Sequence, residues 1–251
     1  MSKDSIGDRM KHYENCYRHV FPRRIPLIAR IDGRSFHSYT KGLERPIDLK
    51  FVDAMNQTAI YVASNLAGTQ LAYIQSDEIS FLITNDQEYD TKPVFDNKQS
   101  KLESVIAGMA SAFFSNLSPN LFGKFKLATF DCRVTPYTKE EVNNCFQWRQ
   151  LDCRRNSIST LAQVHFKPAQ LHGKHADEMK EMLKLKRIDW EQAPLFQQRG
   201  RCAIKKWETK TRQQNGETIE FQRKTWHIDN EIPIFSQKKD YIESLLVKET
   251  L

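Results

Sequence analysis

The sequence predicts an α+β fold of the ferredoxin-like kind, β-α-β-β-α-β, with a helical and β-hairpin elaboration on its C-terminal side. Three observations carry this. Residues 49–66 and 98–117 place apolar side chains at helical spacing, and they alternate with short strand-like runs. Two of those runs flank the polar junction Ser76-Asp77-Glu78 and read as a hairpin. The 251 residues are 39% hydrophobic and 11% aromatic, with nine Gly and nine Pro, which supplies a sizeable core and excludes fibrous and disordered classes.

Each element follows from local pattern. Ile25-Pro-Leu-Ile-Ala-Arg-Ile31 is an apolar run that stops at Asp32-Gly33, a buried strand ending in a tight turn. Across 49–66, Val52, Met55, Ala59, Val62, Ala63 and Leu66 share one helical face, and Asp48 holds the N-cap position. Residues 71–75 and 79–83 form the hairpin, with Asp77 and Glu78 at or near its tip. The second helix repeats the pattern at Leu102, Val105, Ile106, Met109, Phe113 and Leu117, and Ser100 and Glu103 have the spacing of a capping box. Residues 127–137 alternate as a strand. Beyond them the pattern predicts a helix from Lys139 through Cys153 and further, a helix over 176–188, a hairpin over 201–228 turning at Asn215-Gly216, and a closing helix over 238–248. A two-residue turn there sets Glu208 opposite Arg223 and puts Trp207 and Trp226 diagonally on one face. The expected division is a catalytic core over 1–138 and an elaboration over 139–251, joined in one compact unit.

Charge narrows the function. Thirty-eight Lys and Arg against 31 Asp and Glu give +7, which favours a polyanionic partner, nucleic acid first. The charge is uneven: residues 71–90 sum to −5 and residues 199–224 to +5. No apolar run is long enough to span a membrane, so no membrane partner is expected. The first residues mix acids and bases without the apolar stretch of a secretory signal, and the expected compartment is the cytoplasm, with the mitochondrion left open. Five scattered cysteines without a C-x-x-C read as reduced thiols rather than a zinc cluster. P-loop, G-x-G-x-x-G and G-x-S-x-G patterns are absent, which counts against Walker, Rossmann and α/β-hydrolase chemistry.

In a ferredoxin-like sheet the first and third strands are central neighbours, so Asp32 and Asp77 converge. Two carboxylates on a rigid sheet repel unless a cation lies between them. Hard oxygen ligands suit Mg²⁺, and the Gly33 carbonyl is open to an ion's approach. Two such metals serve in-line phosphoryl or nucleotidyl transfer. Spacing alone leaves an ordinary turn and a solvated hairpin tip as the competing reading. Arg34, Lys41 and Arg45 can hold a triphosphate, Ser100 and Lys101 open a helix whose free N–H groups attract phosphate, and His37 can stack on a base. Arg201, Lys205, Lys206 and Lys210 on the late hairpin, interleaved with Trp207 and Phe221, form an RNA-gripping surface. Arg149, Arg154 and Arg155 form a second basic cluster on the helix after Lys139. His172-x-x-His175 lacks a third ligand nearby, and Cys153 lacks a paired base.

Four motifs then carry a resemblance. Ala29-Arg-Ile-Asp-Gly-Arg-Ser-Phe-His37, Gln75-Ser-Asp-Glu78, Phe130-Asp-x-Arg133 and Trp148-Arg-Gln-x-Asp152 occur in this order within residues 20–160, and together they resemble the tRNA(His) guanylyltransferase family. The resemblance implies a palm-like catalytic domain similar to that of polymerases and nucleotidyl cyclases. It implies two Mg²⁺ per active site, ATP and GTP or other NTPs as substrates, tRNA as partner, and a homotetramer built from dimers. It makes Asp32 and Asp77 catalytic and gives the metal Asp32, Asp77 and the Gly33 carbonyl. It gives the nucleotide Arg34, Ser35, Phe36, His37, Arg45, Ser76, Ser100, Lys101 and Asn156.

One stretch departs from the family. The guanylyltransferases proper have His-Ile-Asn-Asn-Leu-Tyr after the Asp-Cys, whereas this chain reads Arg154-Arg-Asn-Ser-Ile-Ser159, keeping Asn156 only. That departure resembles the guanylyltransferase-like branch, which repairs 5′-truncated tRNAs by templated 3′–5′ addition. Addition of G at the −1 position of tRNA(His), a cyclase-like nucleotide enzyme and a non-catalytic RNA-binding protein are the alternatives.

Overall fold

Six strands make one antiparallel sheet in the computed structural model, which describes residues 5–86, 90–214 and 217–246, with the side chains of 213, 214 and 217 left aside. The strands are β1 (Leu27–Gly33), β2 (Thr69–Gln75), β3 (Glu78–Ile83), β4 (Phe130–Pro136), β5 (Arg201–Gln214) and β6 (Glu217–Asp229), in the order β4-β1-β3-β2-β5-β6. The helices are α1 (Ile6–Asn15), α2 (Phe36–Tyr39), α3 (Leu49–Asn65), α4 (Gln99–Phe122), α5 (Lys139–His165), α6 (Pro168–Leu171), α7 (Ala176–Leu185), α8 (Leu195–Arg199) and α9 (Asp240–Glu243). The first four strands, with α3 and α4, are the ferredoxin-like unit predicted from the sequence, and β1 and β3 are its central neighbours.

Both faces of the sheet are covered. Leu27, Ala29 and Ile31 of β1, with Ile74, Ile79 and Phe81, pack under α3 and α4 around Met55, Val62, Ile106 and Phe114. The opposite face carries Ile28, Leu71, Tyr73 and Leu82, which pack against Val142, Cys145 and Phe146 of α5 and against Phe235 and Ile242. Burial on two sides explains why β2 and β3 read as continuous apolar runs instead of alternating. The second cluster joins residues from before and after residue 138.

Several boundaries differ from the sequence reading. β1 runs through Asp32 and Gly33, so these residues end a paired strand and do not form a turn. The capping box is absent: Lys98 is the N-cap of α4, Ser100 lies inside the helix, and Glu103 accepts instead from the Val134 N–H. The fourth strand starts at Phe130, and the closing helix is short, Asp240–Glu243 with a 3₁₀ turn to Leu246. The expected hairpin pairs Glu208 with Arg223 as predicted, while its turn at Asn215-Gly216 lies outside the described residues.

Asp48 caps α3 as expected, accepting from the N–H groups of Lys50 and Phe51, and its second oxygen accepts from Glu44 N–H at 3.1 Å. Asp48→Ala is expected to lower unfolding stability by about 1–2 kcal/mol, read as a lower urea midpoint at unchanged slope. An unchanged midpoint would contradict the capping role.

Candidate active site

The sheet's pairing creates the site. Asp32, the penultimate residue of β1, is register partner to Glu78 on β3 and to Asp131 on β4. Directly opposed residues of antiparallel strands share a face, so three carboxylates stand in a row on the side covered by α5. Asp77 joins them through the two-residue turn between β2 and β3, where the Gly33 N–H donates to the Asp77 carbonyl at 3.2 Å. Ser76 occupies the left-handed region, at φ 46°, to make that turn. Gly33 is required for packing: a Cβ there would lie 2.4 Å from the Phe36 ring, which is itself fixed by stacking on Tyr39 at 4.7 Å.

Crowding of like charges shows in the acidities. Burial pushes the Asp32 carboxyl above the usual range, and the charges of Asp77 and Asp131 push it further. Burial also raises Asp77, against a hydrogen bond from Ser76 that holds it down. Glu78 is raised by burial and opposed first by Arg149. The Arg149 Nε atom lies 3.0 Å from Glu78 Oε1, and the two meet as ions without hydrogen-bond alignment. Arg149 also binds Asp152, which in turn holds Arg155. One step back along the sheet, Arg30 and Arg133 oppose each other across β1 and β4, and Arg30 lies over the Trp148 ring at 5.4 Å.

A cavity of about 330 Å³ opens beside Asp77, between the loop after α2, the start of α3, the β2–β3 turn and the middle of α5. His37, Arg45, Ser76, Asp77 and Asn156 line it together. Its apolar walls include Phe51, Val52, Leu161, Trp190 and Phe196. Arg34 and Ser35 are exposed just past the end of β1, where the Arg34 N–H donates to Thr129 at 2.8 Å. Asp32, Gly33 and Asp77 thus converge as expected, and Asp77 belongs to both the carboxylate row and the cavity.

Other predicted contacts are corrected. Phe36 is buried in the core among Tyr39, Phe114 and Phe130, and supports Gly33 from beneath. Ser100 and Lys101 lie at the other end of the sheet from Asp32. Glu103 bonds beside Val134 and Ser111 beside Phe130, so the N-terminus of α4 points away from Gly33, the partner of Phe130. Lys101 instead covers the Phe95 ring at 5.3 Å. Arg149 is buried against Glu78, not presented to RNA, because α5 turns that face onto the sheet. Arg201 is buried too, its register on β5 placing it beside Ile74 and pointing it at α3. Arg154, Arg155, Lys205, Lys206 and Lys210 are exposed, although Lys205 donates to the Thr69 carbonyl at 2.8 Å. Asp131, Arg30 and the buried Arg149–Glu78 pair were not identified from sequence as site components. The alternation of Phe130-Asp-x-Arg133 was the available signal, since it puts Asp131 and Arg133 on one face.

The fold and the site define a palm-type nucleotidyltransferase, of the architecture shared with polymerases and cyclases. The family model for tRNA(His) guanylyltransferase matches residues 7–138, more than half of the chain, and the chain belongs to that family. The solved structure of a bacterial tRNA(His) guanylyltransferase-like protein in complex with ATP superposes with a TM-score of 0.88 at 41% identity, over 97% of this chain and 99% of that one. A bacterial guanylyltransferase-like protein in complex with GTP superposes at 0.82 and 40% identity, again over 97% and 99%. The tRNA(His) guanylyltransferase of Schizosaccharomyces pombe is 32% identical over 59% of this chain and 56% of its own length.

The Arg149–Glu78 pair generates a stability prediction. Arg149→Met leaves a buried carboxylate unpaired and is expected to cost roughly 3 kcal/mol. Adding Glu78→Gln is expected to recover more than half of that loss in the same denaturation assay. Additive losses would show that the two residues do not depend on each other.

Proposed function

We propose that the protein is a 3′–5′ RNA polymerase that restores missing 5′ nucleotides of tRNA, copying the opposite strand. The observation that carries this reading is the double membership of Asp77, which stands at once in the carboxylate row and in the wall of the cavity. A nucleotide seated in the cavity has its phosphates delivered to the carboxylates. ATP and GTP in the two bacterial structures support nucleotide binding here. The departure at Arg154–Ser159 favours repair over dedicated addition of an unpaired G.

The reaction runs in two displacements. The 5′-monophosphate of the RNA attacks the α-phosphate of ATP, forming a 5′-adenylylated end and releasing pyrophosphate. The 3′-hydroxyl of the incoming NTP then attacks the activated 5′ phosphate and releases AMP. His37, Arg45 and Asn156 hold the nucleotide in the cavity, and Arg34, exposed just past the end of β1, meets the phosphates near the carboxylates. Base pairing with the opposite strand selects the nucleotide.

Asp32, Asp77 and the Gly33 carbonyl would hold Mg²⁺. Their donors are all oxygen; burial raises the pKa of both carboxyls, and the charge of Asp77 raises Asp32 further, a cost that a cation relieves. Among the described residues no cluster of three His, Cys, Asp or Glu side chains stands ready as a closed cage. Mg²⁺ takes one or two carboxylates and fills its shell from phosphate and water. When bound, Mg²⁺ neutralises developing charge on the phosphates.

RNA binding is assigned to the exposed cations Arg154, Arg155, Lys206 and Lys210. The adjoining hairpin exposes Trp207, with Lys224 over its ring at 5.0 Å, where a base can stack. A homotetramer is part of the same proposal, supported by the exposed apolar stripe Ile6, Met10 and Tyr13 on α1.

The test supplies a 5′-truncated tRNA transcript, ATP, Mg²⁺ and labelled NTPs. Templated extension is expected from the wild type, reduced about a hundredfold or more in Asp77→Ala. Extension confined to tRNA(His), opposite a non-pairing nucleotide, would favour the guanylyltransferase alternative. No extension of any tRNA would overturn both.

A further inference from the structure

Arg201 is a buried guanidinium without a counter-charge. It is 3% exposed, and among the described residues no carboxylate stands within ion-pair distance. Its Nε donates to Asn56 Oδ1 and its Nη2 to the Val52 carbonyl at 3.1 Å, both on α3. Among the described residues Nη1 makes no hydrogen bond, and Arg201 lines the cavity. Burial lowers its pKa to about 10, which still leaves it charged at neutral pH. A buried cation that lacks a neutralising partner is costly, and a ligand acceptor in the cavity offsets that cost.

Position decides which part of a nucleotide it meets. Arg201 on β5 is three strands from Asp32 on β1, in the order β1-β3-β2-β5. At ~4.8 Å per strand the two backbones are roughly 14 Å apart, and the side chains leave opposite faces of the sheet, Arg201 towards α3 and Asp32 towards α5. The side chain is anchored on Val52, which lines the apolar part of the cavity with Phe51, Trp190 and Phe196. This is an environment for a base, not for a phosphate. The backbone holds the arginine there: Gly200, at φ 78°, lets the chain pass the Tyr73 hydroxyl, which a Cβ would approach to 2.6 Å.

We propose that Arg201 is a specificity-determining residue that reads the nucleobase, donating from Nη1 to the N7 acceptor of a purine nucleoside triphosphate seated in the cavity. The inference rests on the nucleotide-site reading above and adds the chemical class that the cavity accepts. N7 is present in ATP and GTP and absent from pyrimidines, so the cavity takes the purine nucleotide that activates the RNA end. Nucleotides selected by base pairing are not subject to this choice.

The test measures competition against a fluorescent ATP analogue, without RNA, for ATP, 7-deaza-ATP and UTP on the full-length protein. Wild type is expected to bind 7-deaza-ATP and UTP about tenfold or more weakly than ATP, the scale of a hydrogen bond from a charged donor. Arg201→Met is expected to weaken ATP to the level of 7-deaza-ATP and to show no further loss on removal of N7. A merely structural role would instead leave the N7 dependence intact in the variant. Equal wild-type affinity for ATP and 7-deaza-ATP overturns the inference alone, and this comparison does not depend on the variant folding. Failure of the wild type to bind any of the three overturns the nucleotide-site reading and this inference with it.

Discussion

Antiparallel pairing of β1 with both β3 and β4 forces Asp131, Asp32 and Glu78 into a row, and the tight turn adds Asp77 at its edge. Like charges so placed oppose folding unless something answers them. The protein answers part of the row itself: Arg149 pairs with Glu78, and Arg133 stands 4.0 Å from Asp131. Burial raises Asp32, Asp77 and Glu78 alike, but among the described residues Asp32 and Asp77 have no ion-pair partner. The uncompensated charge is therefore confined to the two positions where the family resemblance puts the metal.

The C-terminal elaboration is part of this arrangement. α5 seals the second face of the sheet through Val142, Cys145 and Phe146, and the same helix delivers Arg149 to Glu78 and Asn156 to the cavity. β5 extends the sheet past β2 and brings Arg201 to the cavity floor. A cut after residue 138 would expose Ile28, Leu71, Tyr73 and Leu82 and open one wall of the site. Among the described residues of the β5–β6 hairpin, Lys206, Trp207 and Lys210 are exposed.

Much of this was legible in the sequence where local pattern and global fold agree. The helices at Leu49–Asn65 and Gln99–Phe122 and the convergence of Asp32 with Asp77 follow from helical spacing and from the topology that β-α-β-β-α-β imposes. What was not legible depends on which way a side chain faces across long range. Arg149 and Arg201 look like surface cations in a basic stretch, and only packing of α5 and the register of β5 against β2 bury them. Ser100 and Lys101 match a phosphate-binding pattern, but the direction of α4 along the sheet carries them to the wrong end. Asp131 stands in a recognisable motif, but its place in the site depends on lying beside Asp32 across two strands far apart in sequence.

The central claim is that the sheet holds Asp32 and Asp77 together at a cost that a bound cation relieves. Thermal denaturation of the wild type and Asp77→Asn in chelator, across pH, tests it most directly. A carboxyl raised in the folded state costs nothing below its ordinary value of 3.8 and costs most above its folded value. The variant should therefore melt higher than wild type at neutral pH, and the difference should fade as pH drops towards 3.8. Added Mg²⁺ should raise the melting temperature of wild type and not that of the variant. A variant that melts lower than wild type at neutral pH in chelator would contradict the account.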